Sequence, residues 1–213
     1  MTENKILMTM ARQTLNGKWG QTAIATLIYL LIEGGVYFAT GTKDHSTPSP
    51  LGNIILILIT GPLAVGVIFY FMQITHGKET SIGDIFNGFK RYGRSLGTYL
   101  LVGIFTFLWL LLLIIPGIIK SFSYSMTFYI LNENPNVTPN EAINRSMEMM
   151  KGNKWKLFCL LLRFLGWIIL GCLTLGIGFL WITPYMQVSM ILFYEDIKPQ
   201  TITEEEIAII RTT

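Results

Sequence analysis

The sequence predicts an all-α membrane protein: a six-helix transmembrane bundle made of three helical hairpins, with cytoplasmic amphipathic helices at the membrane interface. Three observations lead to this prediction. The 213 residues are 51% hydrophobic and only 14% charged, whereas soluble domains carry about 25% charged residues. Apolar runs of about 18 residues or more, long enough to cross a bilayer, recur along the chain. The same order of elements also occurs three times.

Six apolar stretches are the predicted spans, and the fourth is short and is the first place to look for function. At about 14 residues it would cover roughly 21 Å as a helix, less than the roughly 30 Å hydrocarbon core. Pro62 lies inside the second stretch and predicts a kink or a break there, and Pro116-Gly117 is the predicted turn between the third and fourth. The stretches cover about residues 19–40, 54–75, 96–115, 118–131, 157–175 and 184–194.

An amphipathic segment followed by glycine and a cation precedes the first, third and fifth spans. Residues 3–16 carry an apolar helical face. The second and third segments begin with capping boxes, Ser81 with Asp84 and Thr138 with Glu141. Such segments are typical of helices that lie in the membrane interface.

The resulting units are residues 3–75, 80–132 and 138–196, which form one membrane domain over 1–196 with a polar cytoplasmic tail at 197–213. Two interpretations stay open. The units are a threefold internal repeat, or they share only the glycine, proline and aromatic residues found near helix ends in many multi-span proteins. A true repeat would make the units parallel, related by an axis along the membrane normal.

Basic residues predict the orientation. Under the six-span model, almost all lysines and arginines lie on one side, with only Lys43 in an opposite loop and Lys120 near it. Because lysine and arginine accumulate in cytoplasmic loops, both termini and the three amphipathic segments are expected in the cytoplasm.

Ionisable residues within spans are costly and often functional. Glu33 and Lys120 have similar predicted depths, so we hypothesise an ion pair between them, with two unrelated interface residues as the alternative. Arg163 is close enough to the cytoplasmic side to extend its charge to the headgroups. The fourth span adds hydroxyl groups that either line a polar path or bond to carbonyls of their own helix: Ser121, Ser123, Ser125 and Tyr124.

The cytoplasmic cations are candidate contacts for anionic lipid, since each suitably placed lysine or arginine contributes about 1 kcal/mol. The alternative is that they serve only to orient the chain. The bilayer itself is the expected partner, and a net charge of +3 is too small to indicate nucleic acid; the sequence identifies no protein partner. The candidates are Lys90, Arg91, Arg94, Lys151, Lys154 and Lys156.

Motifs of catalysis are absent from the sequence: it has no H-E-x-x-H, G-x-S-x-G or phosphate-binding loop. His45 and His76 are not spaced as metal ligands. Cys159 and Cys172 lie in one apolar run, where cysteines usually serve as small packing residues. We therefore expect no enzymatic activity and no cofactor.

Three segments resemble the family catalogued as domain of unknown function 975: LLLLIIPGIIKSFSYSMTFYIL, EAINRSMEMMKGNKWKLF and LTLGIGFLWITPYMQVSMILFYEDI. The resemblance implies a multi-span protein of the bacterial plasma membrane and brings no known catalytic residues. From the sequence as a whole, the leading interpretation is a role in organising the membrane or in binding lipid or partners. The alternative is a small transporter or channel subunit with a polar path near Glu33 and the fourth span.

Overall fold

A computed structural model describes residues 2–40 and 49–198, and every regular element in these ranges is helical. The nine α-helices are α1 Asn4–Thr14, α2 Trp19–Thr40, α3 Pro50–Thr75, α4 Tyr92–Leu112, α5 Ile114–Tyr124, α6 Thr127–Glu133, α7 Pro139–Met149, α8 Lys154–Leu173 and α9 Phe179–Ile197. A ten-residue 3₁₀ helix, Ile82–Arg91, lies between α3 and α4. The predicted loop residues Lys43 and His45 lie outside the described residues.

Within the described residues, five helical segments are long and apolar enough to cross a membrane, as in a multi-pass membrane protein. They are Trp19–Thr40, Gly52–Thr75, Ile82–Leu112, Ile114–Glu133 and Lys154–Leu173. The helix that corresponds to the sixth predicted span, α9, is not among these five.

Large apolar side chains cover the outer surfaces of α2, α4 and α8. Leu31 on α2, Leu111 on α4 and Leu173 on α8 are 64%, 72% and 74% exposed. An apolar surface that extends over several helices is unfavourable in water, whereas acyl chains have the same polarity as these side chains. The exposed faces therefore suit contact with lipid.

Helix α9 packs against α1, α2, α3 and α8. Val188, Ile191 and Phe193 are fully buried. The helix begins at Phe179, five residues before the predicted start at Pro184, and contains that proline in its second turn. Its polar and charged residues therefore lie on a helix that is surrounded more by protein than by lipid.

The closest approach between two elements joins α3 to the 3₁₀ helix. A Cβ atom on Gly66 would lie 1.8 Å from the carbonyl oxygen of Ile85, and one on Gly88 would lie 1.9 Å from the carbonyl oxygen of Pro62. Real carbon atoms do not approach backbone oxygens this closely, so only glycine fits at these two positions. The two backbones therefore pack directly on each other.

Pro62 does not break α3, contrary to one of the predicted outcomes, and the helix is continuous from Pro50 to Thr75. Proline lacks the N–H that would bond to the carbonyl four residues earlier, here Leu58. The Tyr92 hydroxyl donates to that Leu58 oxygen at 3.2 Å. A side chain from α4 thus satisfies the acceptor that the proline leaves free.

The turn of the middle hairpin lies at Leu113, which has an extended backbone (φ −161°, ψ 133°), and not at Pro116-Gly117. Proline is tolerated in the first turn of a helix, so α5 begins at Ile114 and includes both residues. With α6, the segment Ile114–Glu133 has 20 residues. The predicted shortage of length in the fourth span was wrong, because its start was placed four residues too late.

A break between α5 and α6 divides this segment at Ser125 and Met126. The Ser146 hydroxyl, fully buried on α7, donates to the Ser123 carbonyl at 2.8 Å and accepts from the Met126 N–H at 3.1 Å. These backbone groups would otherwise be buried without partners. One side chain on α7 therefore stabilises the interruption.

The amphipathic segments are partly covered by protein. On α1, Leu7 and Ala11 are at most 2% exposed, whereas Ile6 and Met10 are 49% and 41% exposed. The predicted second amphipathic helix is the 3₁₀ helix, whose Ser81 N–H donates to Asp84 at 2.8 Å as the capping box predicts.

Two of the predicted entry glycines have a backbone conformation that glycine favours. Gly17 and Gly152 have φ of +77° and +80°, in the left-handed region that other residues rarely adopt. Each ends the turn after an amphipathic helix, so the recurring glycine before a cation has a conformational cause.

The predicted tail at 197–213 begins at the residue where α9 ends. Ile197 ends α9 and is 9% exposed, and Lys198 forms an ion pair with Glu133. Residues 199–213 lie outside the described residues.

Gly88→Ala should lower stability by about 1–3 kcal/mol, the usual cost of overpacking, because the methyl group would meet the Pro62 backbone oxygen. Gly93→Ala is the matched control, since nothing lies within 4 Å of its Cβ position. Thermal unfolding in detergent, followed by the loss of monodisperse protein, measures both. Equal melting temperatures for the two variants would contradict the close contact.

Ser146→Ala should cost about 1–3 kcal/mol, since it leaves buried backbone groups without a partner. Ser121→Ala is its control, because that exposed hydroxyl bonds only to Ile118 of its own helix. The expected result in the same unfolding assay is a lower melting temperature for Ser146→Ala alone. A stable Ser146→Ala protein would show that the α5–α6 break does not need this hydroxyl.

Candidate functional site

Three of the predicted lipid contacts line one cavity of about 250 Å³, which we call the basic pocket. Lys90, Arg91 and Arg94 come from the 3₁₀ helix and the first turn of α4. Asn87 and Asn132 line the same cavity and add amide groups. No acidic side chain is among its lining residues, so the pocket carries a net positive charge.

The cations of the basic pocket differ in how they are held. Arg94 donates to the carbonyl oxygens of Val137 and Leu131, each at 2.9 Å, and to that of Asn134. Helix ends leave carbonyls without intrahelical partners, and Arg94 bonds to those of Leu131 and Asn134 at the end of α6. Arg91 donates to the Pro135 carbonyl at 2.8 Å.

Lys90 is exposed, and no hydrogen bond or ion pair of its ammonium group is found in the part of the chain that the structure describes. Its charge, with the remaining donors of Arg91, faces the cavity. Arg94 has a structural role and adds charge at the base of the pocket.

The other three predicted lipid contacts, Lys151, Lys154 and Lys156, do not line one cavity together. Lys156 forms an ion pair with Asp196 and lies 5.5 Å from the centre of the Phe193 ring. Lys151 is exposed and lines a different cavity, and Lys154 is half-buried. These lysines were grouped by their position along the chain, but the ammonium group of Lys156 is already paired with Asp196.

The cavity beside Lys151 is larger, about 740 Å³, and has mixed charge. The Tyr194 hydroxyl and the Lys198 ammonium group both donate to Glu133 at its edge. Because Glu148 also lines it, the cavity shows no clear preference for an anion or a cation.

Asp196 connects the first and last described helices. The Thr2 N–H donates to its Oδ1 at 2.8 Å, and Lys156 donates to its other oxygen. Asn4 donates to the Lys156 carbonyl at 2.9 Å. Burial by itself raises the pKa of Asp196, but the hydrogen bonds from Lys156 and Thr2 outweigh burial and hold that pKa below its usual range.

The hypothesised Glu33–Lys120 ion pair is not formed in the structure. Thr60 donates to Glu33 Oε2 at 3.2 Å, and the Lys120 ammonium group lies 4.7 Å from the centre of the Trp109 ring. Similar depth in the sequence did not place the two on facing helix surfaces. Glu33 Oε1 is buried and has no hydrogen-bond partner among the described residues.

The hydroxyl groups of the fourth span bond to their own helix. Ser121 donates to Ile118 at 2.7 Å, Ser123 to Ile119 at 3.1 Å and Ser125 to Phe122 at 2.8 Å. This is the bonding of the alternative interpretation, in which these residues do not line a polar path.

Two further predicted residues, Tyr124 and Arg163, lie in different environments. The Tyr124 ring is 5% exposed and lies 6.4 Å from the Phe105 ring. Arg163 is exposed on α8, and the described residues offer it no ion pair or hydrogen bond. The structure does not bring either one to the basic pocket.

Sequence reasoning missed the two asparagines of the basic pocket and the Glu133–Tyr194 contact. Asn132 donates to the Val65 carbonyl at 3.0 Å, a contact between residues 67 positions apart. No local sequence pattern predicts a contact between residues so far apart in the chain. Asn87 could have been predicted from the sequence, because it lies three residues before Lys90 within the amphipathic segment.

Comparison with known proteins finds a family that this chain matches. No curated protein and no solved structure gives a significant match. A family model described as a protein of unknown function (DUF975) matches residues 1–120 and 110–201. Since these two matches together cover nearly the whole chain, the protein belongs to the DUF975 family.

Proposed function

We propose that this protein is a non-enzymatic, multi-pass protein of the bacterial plasma membrane that binds anionic lipid headgroups on its cytoplasmic side and thereby organises the surrounding membrane. The observation that carries the proposal is the basic pocket. It joins three cations and two amides around one cavity without a carboxylate.

Phosphate chemistry fits this set of groups. An arginine guanidinium binds phosphate oxygens through two parallel N–H bonds, and a lysine ammonium group adds a point charge. In the basic pocket Arg91 and Lys90 are neighbours in the chain, and Asn87 precedes them on the same 3₁₀ helix. A phosphate there would gain charge from both cations and a hydrogen bond from the amide.

The order of elements supports the three-hairpin arrangement with both termini in the cytoplasm. An amphipathic helix followed by two apolar segments occurs as α1–α2–α3, as the 3₁₀ helix with α4 and α5–α6, and as α7–α8–α9. We take residues 179–194 of α9 as the sixth span, buried among its neighbours. The accumulation of cations on one side sets the orientation.

A second candidate, a small transporter or channel subunit, is favoured by Glu33 alone. Its buried Oε1 has no partner among the described residues, and a buried polar atom without a partner is costly. A passing cation or proton would supply one. Cysteines placed at positions 121–127 would react with water-soluble reagents in intact membranes if a polar path existed, whereas a dry, close-packed bundle would leave them unreactive.

The double variant Lys90→Gln/Arg91→Gln should bind phosphatidylglycerol at least tenfold more weakly than the unchanged protein, since two cations contribute about 2 kcal/mol. Native mass spectrometry in detergent with added phosphatidylglycerol or phosphatidylcholine measures the binding. Lys5→Gln/Lys78→Gln removes the same charge from two exposed positions elsewhere. Equal loss in both double variants would mean that net charge, and not the pocket, attracts the lipid.

Single cysteines should test the orientation in a protein whose Cys159 and Cys172 are changed to alanine. Leu175→Cys, at a position 95% exposed between α8 and α9, should react with a membrane-impermeant maleimide in intact cells. Lys78→Cys should react only after the membrane is permeabilised, because the cation-rich side is expected in the cytoplasm. The opposite pattern would reverse the proposed topology.

A further inference from the structure

An open groove of about 390 Å³ lies beside α9, and it has an unusual lining. Its six lining residues are Arg12, Trp19, Trp167, Trp181, Ile182 and Tyr185. We call it the aromatic groove. It combines three indole rings, a phenol and a single cation, and no acidic side chain lines it.

Four helices build the aromatic groove. Helices α1, α2 and α8 each pack against α9, which supplies the floor through Ile182 and Tyr185. The Tyr185 ring is fixed by edge-on contacts with Phe164 at 5.2 Å and Trp167 at 6.2 Å. The floor is therefore rigid, and the groove is not a gap left by a loose side chain.

Arg12 gives the groove its charge. It is exposed at the end of α1, and within residues 2–40 and 49–198 no carboxylate pairs with it and no hydrogen bond engages it. A guanidinium without a partner favours a ligand with a phosphate or carboxylate group, and it disfavours the cationic ligands that aromatic cages otherwise bind.

The walls of the groove are continuous with the surface suited to lipid. Trp167 is 47% exposed, and Leu170, three residues further along the same face of α8, is 54% exposed. Trp181 is 49% exposed on α9. Tryptophan rings are enriched where a protein meets the headgroup region, because they present an apolar body and one N–H donor.

From this geometry we propose that the aromatic groove is a second lipid site, which holds one anionic phospholipid from the bilayer with its phosphate on Arg12 and an acyl chain along the tryptophan rings. The site extends the proposed lipid-binding function but uses none of the residues of the basic pocket. The two sites differ in how they bind lipid. The basic pocket binds by charge, whereas the groove also contacts the acyl chain.

Quenching of tryptophan fluorescence by brominated acyl chains tests the proposal directly. In a Trp109→Phe/Trp155→Phe protein, the three remaining tryptophans all line the groove. Dibrominated phosphatidylglycerol or phosphatidylcholine is added to this protein in detergent micelles. Phosphatidylglycerol should reach half-maximal quenching at about a fivefold lower mole fraction, the preference expected from one cation.

Charge variants identify the residue responsible. Arg12→Gln should make the two lipids quench equally, whereas Arg12→Lys should keep most of the preference for phosphatidylglycerol. Lys78→Gln is the control, because it removes an exposed cation that lines neither the groove nor the basic pocket. Elution volume and helical circular dichroism establish that each variant is folded.

The outcomes separate this site from the basic pocket. Lys90→Gln/Arg91→Gln should leave the quenching preference unchanged even though it weakens total lipid binding. Equal quenching by both lipids in the unchanged groove, or a preference that survives in Arg12→Gln, would overturn the aromatic groove while leaving the basic pocket standing. Loss of the preference in Lys90→Gln/Arg91→Gln would likewise overturn it, by assigning the effect to the basic pocket.

Discussion

The direct backbone contact between α3 and the 3₁₀ helix is the constraint on which much of the structure depends. Gly66 and Gly88 leave no room for a side chain at the crossing, so the 3₁₀ helix is held against α3 at a fixed distance. This contact also sets where α4 begins, and Tyr92 at that start reaches the free carbonyl of Leu58. Proline in α3 and glycine at the crossing therefore act together.

The same crossing organises the basic pocket. Gly88, buried against α3, is two residues before Lys90 and three before Arg91, and all three line the pocket. Arg94 then joins α4 to the end of α6 through three carbonyl oxygens. The pocket thus depends on backbone packing at its base, and its charged groups are positioned by elements far apart in the chain.

Buried polar groups in this structure have two different roles. Ser146 completes the backbone bonding of the α5–α6 break, whereas Glu33 keeps one oxygen without a partner among the described residues. The first arrangement stabilises a fold, and the second leaves a group available for a ligand or proton. Such differences decide between a dry scaffold and a polar path, and composition alone does not reveal them.

The sequence by itself determined the helical class, the membrane character and the limits of the clearest segments; the predicted first span agrees with α2, Trp19–Thr40. Hydrophobic length and glycine turns act locally, so a linear pattern reveals them. Local patterns also indicated the Ser81 cap and the recurring glycine before a cation, which at Gly17 has a positive φ. The start of α5 was misplaced because proline at a helix start and proline at a turn look alike in sequence.

Only the tertiary structure decided which polar residues meet. Glu33 bonds to Thr60, Lys120 lies over Trp109, and Lys156 is taken up by Asp196, none of which follows from spacing along the chain. Rotation of each helix about its axis determines its partners, and packing between distant segments sets that rotation. For the same reason Arg12 and the tryptophans of the aromatic groove became a site only when α1, α2 and α8 were placed around α9.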